Sequence, residues 1–150
     1  MQFDSVDAVL DFAIKNEQDA SDFYTELASK MEKPYMKQAF ESFAAEERGH
    51  KAKLESVKKG NIAKLAKTKV LDLKIGDYLV EQKPSATMDY QSALILAMKQ
   101  EKAAFRLYTD LAASTDDANI RELFLGLAQE EAKHKLRFEV EYDDDFLREN

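Results

Sequence analysis

The most restrictive feature of this sequence is an internal repeat that contains both of the chain's histidines. In each half, a glutamate precedes a Glu-x-x-His segment, and the spacing between the three residues is identical in the two halves. The repeated residues are Glu17, Glu47 and His50 in the first half and Glu101, Glu131 and His134 in the second. Helical residues three positions apart are neighbours, so each Glu-x-x-His pair can direct both side chains at one region. The fold has to accommodate two copies of this polar set.

Four segments of the chain show the spacing of amphipathic helices. Apolar residues recur at alternating intervals of three and four positions, and the low content of glycine (four) and proline (two) favours long helices. In each segment the repeated Glu and His residues lie within the apolar stripe, so the pattern directs them toward a core. The predicted helices run from Val6 to Met31, from Pro34 to near Gly60, from about Asp89 onward, and from the end of the cap cluster at 114–117 onward.

The connections between the helices predict the topology. Short turns join the first helix to the second and the third to the fourth, so each pair is expected to form an antiparallel hairpin. Residues 61–88 form a long crossover, which we interpret as a structural strap, with a lid or docking segment as the alternative. One long crossover distinguishes the ferritin-like bundle from the simple up-down form. We therefore expect an all-α, ferritin-like four-helix bundle that forms a single domain over residues 1–150.

The four repeated glutamates require a counter-charge. Unpaired carboxylates in an apolar core are costly, and burial together with like-charge repulsion raises carboxyl pKa values. Two divalent cations would cancel four negative charges, and the two imidazoles would supply nitrogen ligands. The sequence therefore predicts a two-metal site with the ligands Glu17, Glu47, His50, Glu101, Glu131 and His134.

Composition narrows the choice of metal and excludes other classes of protein. The chain has no cysteine, which removes disulfides, thiolate zinc sites, iron–sulfur clusters and cysteine nucleophiles. Oxygen and imidazole ligands suit iron or manganese, with zinc as a substitute. The net charge of −7 argues against nucleic acid as a partner. No apolar run approaches the ~20 residues of a membrane span. The acidic N-terminal segment lacks the basic start of a signal peptide, so we expect a cytoplasmic protein.

Other polar residues near the predicted ligands can be interpreted in more than one way. Tyr24 and Tyr108 lie two turns beyond the first predicted ligand of each half. Their hydroxyls either orient ligand carboxylates from outside the metal shell or find partners in ordinary core packing. Glu46 and Glu130 lie one position away from the buried stripe, and we expect them to be solvated or interfacial, with a role behind the ligands as the alternative. The acidic run 143–145 is expected to be a solvated end.

At these residues the chain resembles the rubrerythrin branch of the ferritin-like di-iron carboxylate superfamily, over nearly its full length. The resemblance implies a centre of two iron ions in which Glu47 and Glu131 bridge the metals. It further implies that Glu17 and Glu101 are terminal ligands and that each histidine completes one metal. Rubrerythrins usually have an extra carboxylate one turn after the third-helix glutamate, and this chain has Ala104 there. The expected site is thus the symmetric six-ligand form.

The same resemblance implies a redox enzyme. We expect reduction of hydrogen peroxide or dioxygen at the di-iron centre, in defence against oxidative stress, with no catalytic residue identified beyond the centre itself. Because a chain without cysteine cannot form a rubredoxin-like iron domain, electrons would come from an external donor protein. A homodimer is also expected from the resemblance. The alternative function is that of a ferroxidase or iron-binding protein of the ferritin type.

Overall fold

The computed structural model describes residues 6–60, 88–115 and 117–149. No residue in these ranges forms a β-strand, and the all-α prediction is confirmed. None of the described helices is both long and apolar enough to cross a membrane. Apart from Met88, the predicted crossover at 61–88 lies outside the described residues. The helices are α1 (Val6–Lys30), α2 (Pro34–Gly60), α3 (Tyr90–Ser114) and α4 (Ala118–Glu149).

The helices of the second half begin at capping residues that are visible in the sequence. Asp89 precedes α3 in an extended conformation, and its carboxylate accepts a hydrogen bond from the Ser92 amide at 2.8 Å. Asp117 caps α4 in the same way, since its Oδ1 lies 2.9 Å from the Asn119 amide nitrogen and 3.1 Å from that of Ile120. In the first half, Pro34 occupies the first turn of α2, where its missing N–H costs nothing.

Helix α1 packs on α2 and α3 packs on α4, so the described part of the bundle consists of two helix hairpins. Their inner faces form two apolar clusters, and the buried Glu and His residues fall between these clusters along every helix. Each fully buried Leu or Phe stabilises the fold by roughly 1.5–3 kcal/mol relative to an exposed one. The first cluster includes Leu10, Leu54, Leu107, Leu111, Phe124 and Leu127, and the second includes Tyr24, Leu27, Phe40, Phe43, Leu94 and Phe138.

The C-terminal acidic run differs from the expectation. Helix α4 continues through residues 143–145 and ends only at Glu149. Asp145 is buried, with 3% of its surface exposed, and the Gln91 side-chain nitrogen lies 3.4 Å from its carboxylate. The prediction of a solvated end was therefore wrong for Asp145, because the long α4 extends back over the first turn of α3. Asp143 and Asp144 are exposed.

Candidate metal centre

All six predicted ligands lie in one buried layer between the two apolar clusters. Each helix contributes to this layer: α1 and α3 supply one glutamate each, while α2 and α4 each supply a Glu-x-x-His pair. The exposed fractions are 2% for Glu17, 1% for Glu47, 5% for His50, 1% for Glu101, 1% for Glu131 and 1% for His134. The repeat in the sequence has become a spatial repeat, with one half-site on each hairpin.

The six residues form two overlapping groups, and in each group the side chains are close enough together to bind one metal ion. In each group, one side-chain oxygen or nitrogen from every member lies within 4.8 Å of the others. Glu47 and Glu131 belong to both groups. One group adds Glu17 and His50, and the other adds Glu101 and His134. The two groups thus share two carboxylates, and each group adds its own Glu–His pair. Two adjacent metal ions that are bridged by carboxylates require this arrangement.

The histidines connect the two hairpins. Nδ1 of His50 lies 2.7 Å from Oε1 of Glu131, and Nδ1 of His134 lies 3.0 Å from Oε1 of Glu47. Each imidazole therefore contacts the shared glutamate of the opposite hairpin. The two rings are nearly parallel, with an interplanar angle of 9° and centroids 5.8 Å apart. Both rings direct Nδ1 at the cluster. The two halves of the layer are therefore related by an approximate two-fold axis.

Two buried tyrosines adjoin the cluster and follow the same symmetry. The hydroxyl of Tyr24 on α1 donates to Glu101 on α3, and the hydroxyl of Tyr108 on α3 donates to Glu17 on α1. Burial and the neighbouring carboxylates raise the pKa of both tyrosines well above the usual value, so both remain protonated donors. The structure therefore places these hydroxyls on ligand carboxylates, beyond simple packing among apolar neighbours.

The unpaired atoms of the cluster fit bound cations. Oε2 of Glu17, Glu101 and Glu131 is fully buried and has no hydrogen-bond partner. Buried acceptors are nearly always paired, because desolvation of an unpaired one is costly. A divalent cation at each group would satisfy these oxygens together with the imidazole nitrogens. The residues present therefore fit a di-metal site of carboxylate and histidine ligands.

Proton uptake is the other way to reduce the charge of this layer. Burial, followed by the nearby Glu47, raises the pKa of Glu17 well above its usual value, and burial together with Glu101 and Glu47 does the same for Glu131. Burial would also raise the pKa of Glu47, but hydrogen bonds from its neighbours lower it well below the usual range. Without a cation, Glu17 and Glu131 would thus bind protons more readily than free carboxyl groups do.

The imidazoles take up protons as well. Burial alone would lower the pKa of His50, but Glu17 and Glu47 together raise it to about 9. Burial likewise opposes the charged form of His134, and Glu101 and Glu47 raise its pKa to about 10. Protons and divalent cations therefore compete for this layer, and metal binding requires that the ligands release their protons.

One further residue lies next to the cluster. Glu46, which was expected to be solvated or interfacial, matches the alternative of a role behind the ligands, because its Oε2 lies 2.9 Å from Nε2 of His134 on the side of the ring away from the cluster. The ring N–H is not aligned with this oxygen, so the contact is an ion pair without a hydrogen bond. Arg137 approaches the same carboxylate at 3.4 Å and stacks on Phe43, with 4.5 Å between its guanidinium carbon and the ring centroid. The repeat mate Glu130 instead lies 3.5 Å from Lys133.

The match to a known family covers the whole site. The family model of rubrerythrin matches residues 8–142, which include all six predicted ligands and both tyrosines. This chain belongs to the rubrerythrin family. The predicted resemblance is therefore confirmed at the level of the family.

Solved structures support the fold of this rubrerythrin-family chain. A protein from Thermotoga maritima, assigned as a ferritin-like diiron-carboxylate protein, superposes with a TM-score of 0.80 at 18% identity, covering 97% of this chain and 99% of its own. A hypothetical protein from Pyrococcus furiosus superposes with a TM-score of 0.71 at 25% identity, covering 93% of this chain and 89% of its own. No curated protein matches this chain. The ferritin-like four-helix bundle predicted from the sequence is confirmed.

Proposed function

We propose that this rubrerythrin-family protein is a di-iron oxidoreductase that reduces hydrogen peroxide or dioxygen with electrons from an external donor protein. The observation that carries the proposal is the pair of ligand groups that share Glu47 and Glu131. These residues would hold two metal ions, which would supply two electrons for the reduction of one O–O bond. Iron is the proposed occupant, because the site offers only oxygen and imidazole ligands and the reaction requires a redox-active metal.

A cavity of small-molecule size lies beside the candidate metal centre. A cavity of about 140 Å³ opens between α2, α3 and α4, and Phe43 lies in its wall. The ring of Phe43 packs against His134, with centroids 5.0 Å apart. Pockets for organic ligands usually measure about 300–1,000 Å³. None of the six candidate ligands lines this cavity, but Phe43 contacts both the cavity and His134. A cavity of this size suits molecules such as peroxide or dioxygen.

The residues around the cluster would keep its geometry fixed during turnover. Tyr24 and Tyr108 hold Glu101 and Glu17 by hydrogen bonds, so neither terminal carboxylate is free to rotate. Phe43, Phe138 and Tyr24 form a packed aromatic group on one side of the layer, with 4.1 Å between the ring centroids of Phe43 and Phe138. A rigid, dry site favours the redox reaction of the bound ions over ligand loss.

The test is turnover by protein loaded with two ferrous ions per chain under anaerobic conditions. The oxidation rate is measured with peroxide and with dioxygen, and a common artificial reductant then returns the centre to the ferrous state. We expect repeated cycles with at least one of the two oxidants and a stoichiometry of two irons per chain. Retention of ferric iron far beyond two per chain, without repeated cycles, would instead establish the ferroxidase and iron-storage alternative.

A matched pair of variants on α2 assigns any activity to the centre. Glu47→Ala removes a shared ligand, whereas Glu55→Ala changes an exposed glutamate on the same helix. Turnover should disappear in the first variant and persist in the second. Equal activity in both variants would show that the reaction takes place elsewhere, and the proposal would be wrong.

A further inference from the structure

A series of aromatic rings leads from the buried candidate ligands to the surface of the bundle. It begins at Tyr24, whose hydroxyl donates a hydrogen bond to Glu101. The ring of Phe40 stacks on Tyr24 with 6.3 Å between centroids, and Tyr90 meets Phe40 edge-on at 5.8 Å. Tyr35 follows, with its ring centroid 6.1 Å from that of Tyr90. These distances are those of rings in direct contact, so the aromatic series of Tyr24, Phe40, Tyr90 and Tyr35 is continuous.

The rings of the aromatic series become more accessible toward its far end. Tyr24 and Phe40 are fully buried, Tyr90 is 5% exposed and Tyr35 is 44% exposed. An electron crosses a protein by tunnelling, and the rate of tunnelling falls steeply with the distance between the groups that exchange the electron. Tyrosine gives up an electron far more readily than phenylalanine does. The three tyrosines can therefore be oxidised in turn, with Phe40 as the bridge between the first two.

Tyr90 also has a proton acceptor beside it. Loss of an electron makes a tyrosine hydroxyl strongly acidic, so oxidation is easier where a base can take the proton. The Tyr90 hydroxyl donates to a carboxylate oxygen of Glu141 at 3.0 Å. Burial and Glu141 raise the pKa of Tyr90 above its usual value, so the hydroxyl keeps its proton until the ring is oxidised. Because Glu141 belongs to neither ligand group, this proton transfer does not compete with metal binding.

The repeat provides an internal comparison for the aromatic series. Tyr108 and Phe124 are the equivalents of Tyr24 and Phe40, and they stack in the same way with centroids 6.2 Å apart. The equivalents of Tyr90, Tyr35 and Glu141 are Val6, Asn119 and Val57. The equivalent positions thus supply neither a further ring nor a carboxylate. The outer part of the series is therefore particular to one end of the bundle and does not follow from packing around the repeated tyrosines.

We propose that the aromatic series is a one-electron route that carries oxidising equivalents from the buried layer to the surface. Tyr90 is the redox-active station of this route, and Glu141 is the base that takes its proton. The proposal rests on the proposed function for its source of oxidising equivalents. Reduction of an O–O bond requires two electrons, so an interrupted supply from the donor protein leaves an oxidising equivalent in the layer. The route would remove it before it damages the surrounding side chains.

Electrons and protons balance along this route. Tyr24 gives one electron to the layer, and its hydroxyl proton moves to Glu101 along the existing hydrogen bond. Tyr90 then returns an electron to Tyr24, which recovers its proton from Glu101. The Tyr90 proton passes to Glu141, which leaves a neutral phenoxyl radical beside a protonated carboxyl group. A small one-electron reductant such as ascorbate reduces the radical through the exposed end of the series, and Glu141 returns the proton.

Photo-oxidation of the full-length, zinc-loaded protein tests the route without redox chemistry at the metal. Zinc takes the same oxygen and nitrogen ligands and does not change its oxidation state. A photoexcited ruthenium polypyridyl complex with persulfate oxidises exposed tyrosines, and freeze-quench electron paramagnetic resonance detects phenoxyl radicals. We expect a long-lived radical that ascorbate removes, because the buried Tyr90 ring cannot couple with another molecule. Tyr90→Phe, which keeps the ring, should abolish this signal, whereas Tyr142→Phe, at a half-buried position outside the series, should preserve it.

A second pair of variants on α4 tests the proton acceptor. Glu141→Gln keeps the size of the side chain and an oxygen for the hydrogen bond but removes the base. It should slow formation of the radical about 100-fold, which is the lower end of what a positioned proton acceptor contributes. Glu139→Gln is the control, because Glu139 lies on the same helix and pairs with Lys135. Equal rates in Glu141→Gln and the wild type would overturn the role of Glu141.

Iron-loaded protein connects the route to turnover. Excess peroxide without a reductant should produce the same radical in the wild type and in Tyr142→Phe, and none in Tyr90→Phe. An unchanged signal in Tyr90→Phe would overturn the proposal. A Tyr90 radical in the zinc protein, with none after peroxide in iron-loaded protein that turns over, would overturn it as well. Iron-loaded protein that does not turn over would instead contradict the proposed function, and the zinc experiment would still decide whether the route conducts.

Discussion

Tyr24 on α1 donates a hydrogen bond to Glu101 on α3, so a candidate ligand of the second hairpin is held by a residue of the first. Tyr108 returns the same contact to Glu17. The histidines cross between the hairpins as well, since His50 contacts Glu131. The four described hydrogen bonds among these tyrosines, histidines and glutamates therefore each join the two halves of the repeat. Docking of the hairpins and assembly of the metal site are one structural event.

Replacement of Tyr24 by phenylalanine should weaken the site without removing a ligand. The variant leaves a Glu101 oxygen without its donor in a buried position, which costs about 1–3 kcal/mol of unfolding free energy. Loss of such an outer partner typically lowers metal affinity about 10- to 100-fold. Chelator competition and urea denaturation measure the two effects. Tyr142→Phe, at a half-buried position outside the layer, serves as the control and should change metal affinity less than about twofold.

The shared and terminal glutamates should differ in their effect on metal content. Glu47 belongs to both ligand groups, so Glu47→Ala should abolish the two-metal centre. Glu17 belongs to one group, so Glu17→Ala should leave the other group able to hold an ion. Elemental analysis after loading and desalting should give close to zero and close to one metal per chain, respectively. A full complement of two metals in Glu47→Ala would contradict the assignment of a bridging role.

The stability of the chelated protein should fall as the pH rises. The pKa values of His50 and His134 are raised from 6.5 to about 9 and about 10, so their contribution is complete below pH 6.5 and is lost as the pH rises toward those values. Glu17 and Glu131 also have raised pKa values, so their contribution to stability is likewise lost as the pH rises above about 4.5. Glu47, with a lowered pKa, contributes above 4.5 and loses this contribution only in stronger acid.

Bound metal should reverse much of this dependence. Metal binding requires deprotonated ligands, so affinity and the stabilisation that follows from it increase with pH. The difference in Tm between loaded and chelated protein should therefore be larger at about pH 8.5 than at about pH 6. Scanning calorimetry at the two pH values measures it, and buffer-dependent binding enthalpies report the released protons. A difference in Tm that shrinks as the pH rises would contradict the proton–metal competition.

The sequence predicted the buried Glu and His cluster and the helices because both depend on local spacing. The Glu-x-x-His pairs and the upstream glutamates needed only the helical repeat to be placed on inner faces, and the Asp89 and Asp117 caps are short-range signals as well. The contact of Glu46 with His134 depends instead on how α2 and α4 approach each other. A glutamate next to the buried stripe of a helix has the same sequence pattern whether its side chain contacts solvent or a histidine of another helix.

The burial of Asp145 was missed for a related reason. Three consecutive aspartates have the composition of a solvated end, and only the extension of α4 over the start of α3 places Gln91 against the third of them.

Replacement of Glu46 should weaken one of the two ligand groups. Replacement of Glu130, its equivalent in the repeat, should weaken neither. Glu46→Gln removes the negative charge beside His134 Nε2 while preserving the size of the side chain. We expect about a tenfold loss of affinity for one of the two metals, since a carboxylate behind a ligating imidazole raises its basicity. Glu130→Gln is the matched control, because Glu130 lies beside Lys133 at 3.5 Å. Equal losses in both variants would show that the Glu46 contact has no specific role.

Ala104 stands where the resemblance to rubrerythrins leads us to expect an additional carboxylate. It is half-buried and lies on α3 one turn after Glu101, between that ligand and Tyr108. Side chains one turn apart on a helix point toward the same region. Ala104→Glu should therefore direct a fifth carboxylate at the buried Glu and His layer. Ala113→Glu, at an exposed position on the same helix, provides a control for the added charge and for helix propensity.

The substitution of Ala104 should have opposite consequences with and without metal. In chelated protein, a further buried carboxylate and the added volume should lower the unfolding free energy by about 1–3 kcal/mol. In loaded protein the new carboxylate can pair with a cation, so most of this loss should be recovered, and the absorption spectrum of the ferric centre should shift because its ligands have changed. Ala113→Glu should leave both the spectrum and the difference between loaded and chelated Tm unchanged. If Ala104→Glu leaves them unchanged as well, position 104 does not face the metal layer.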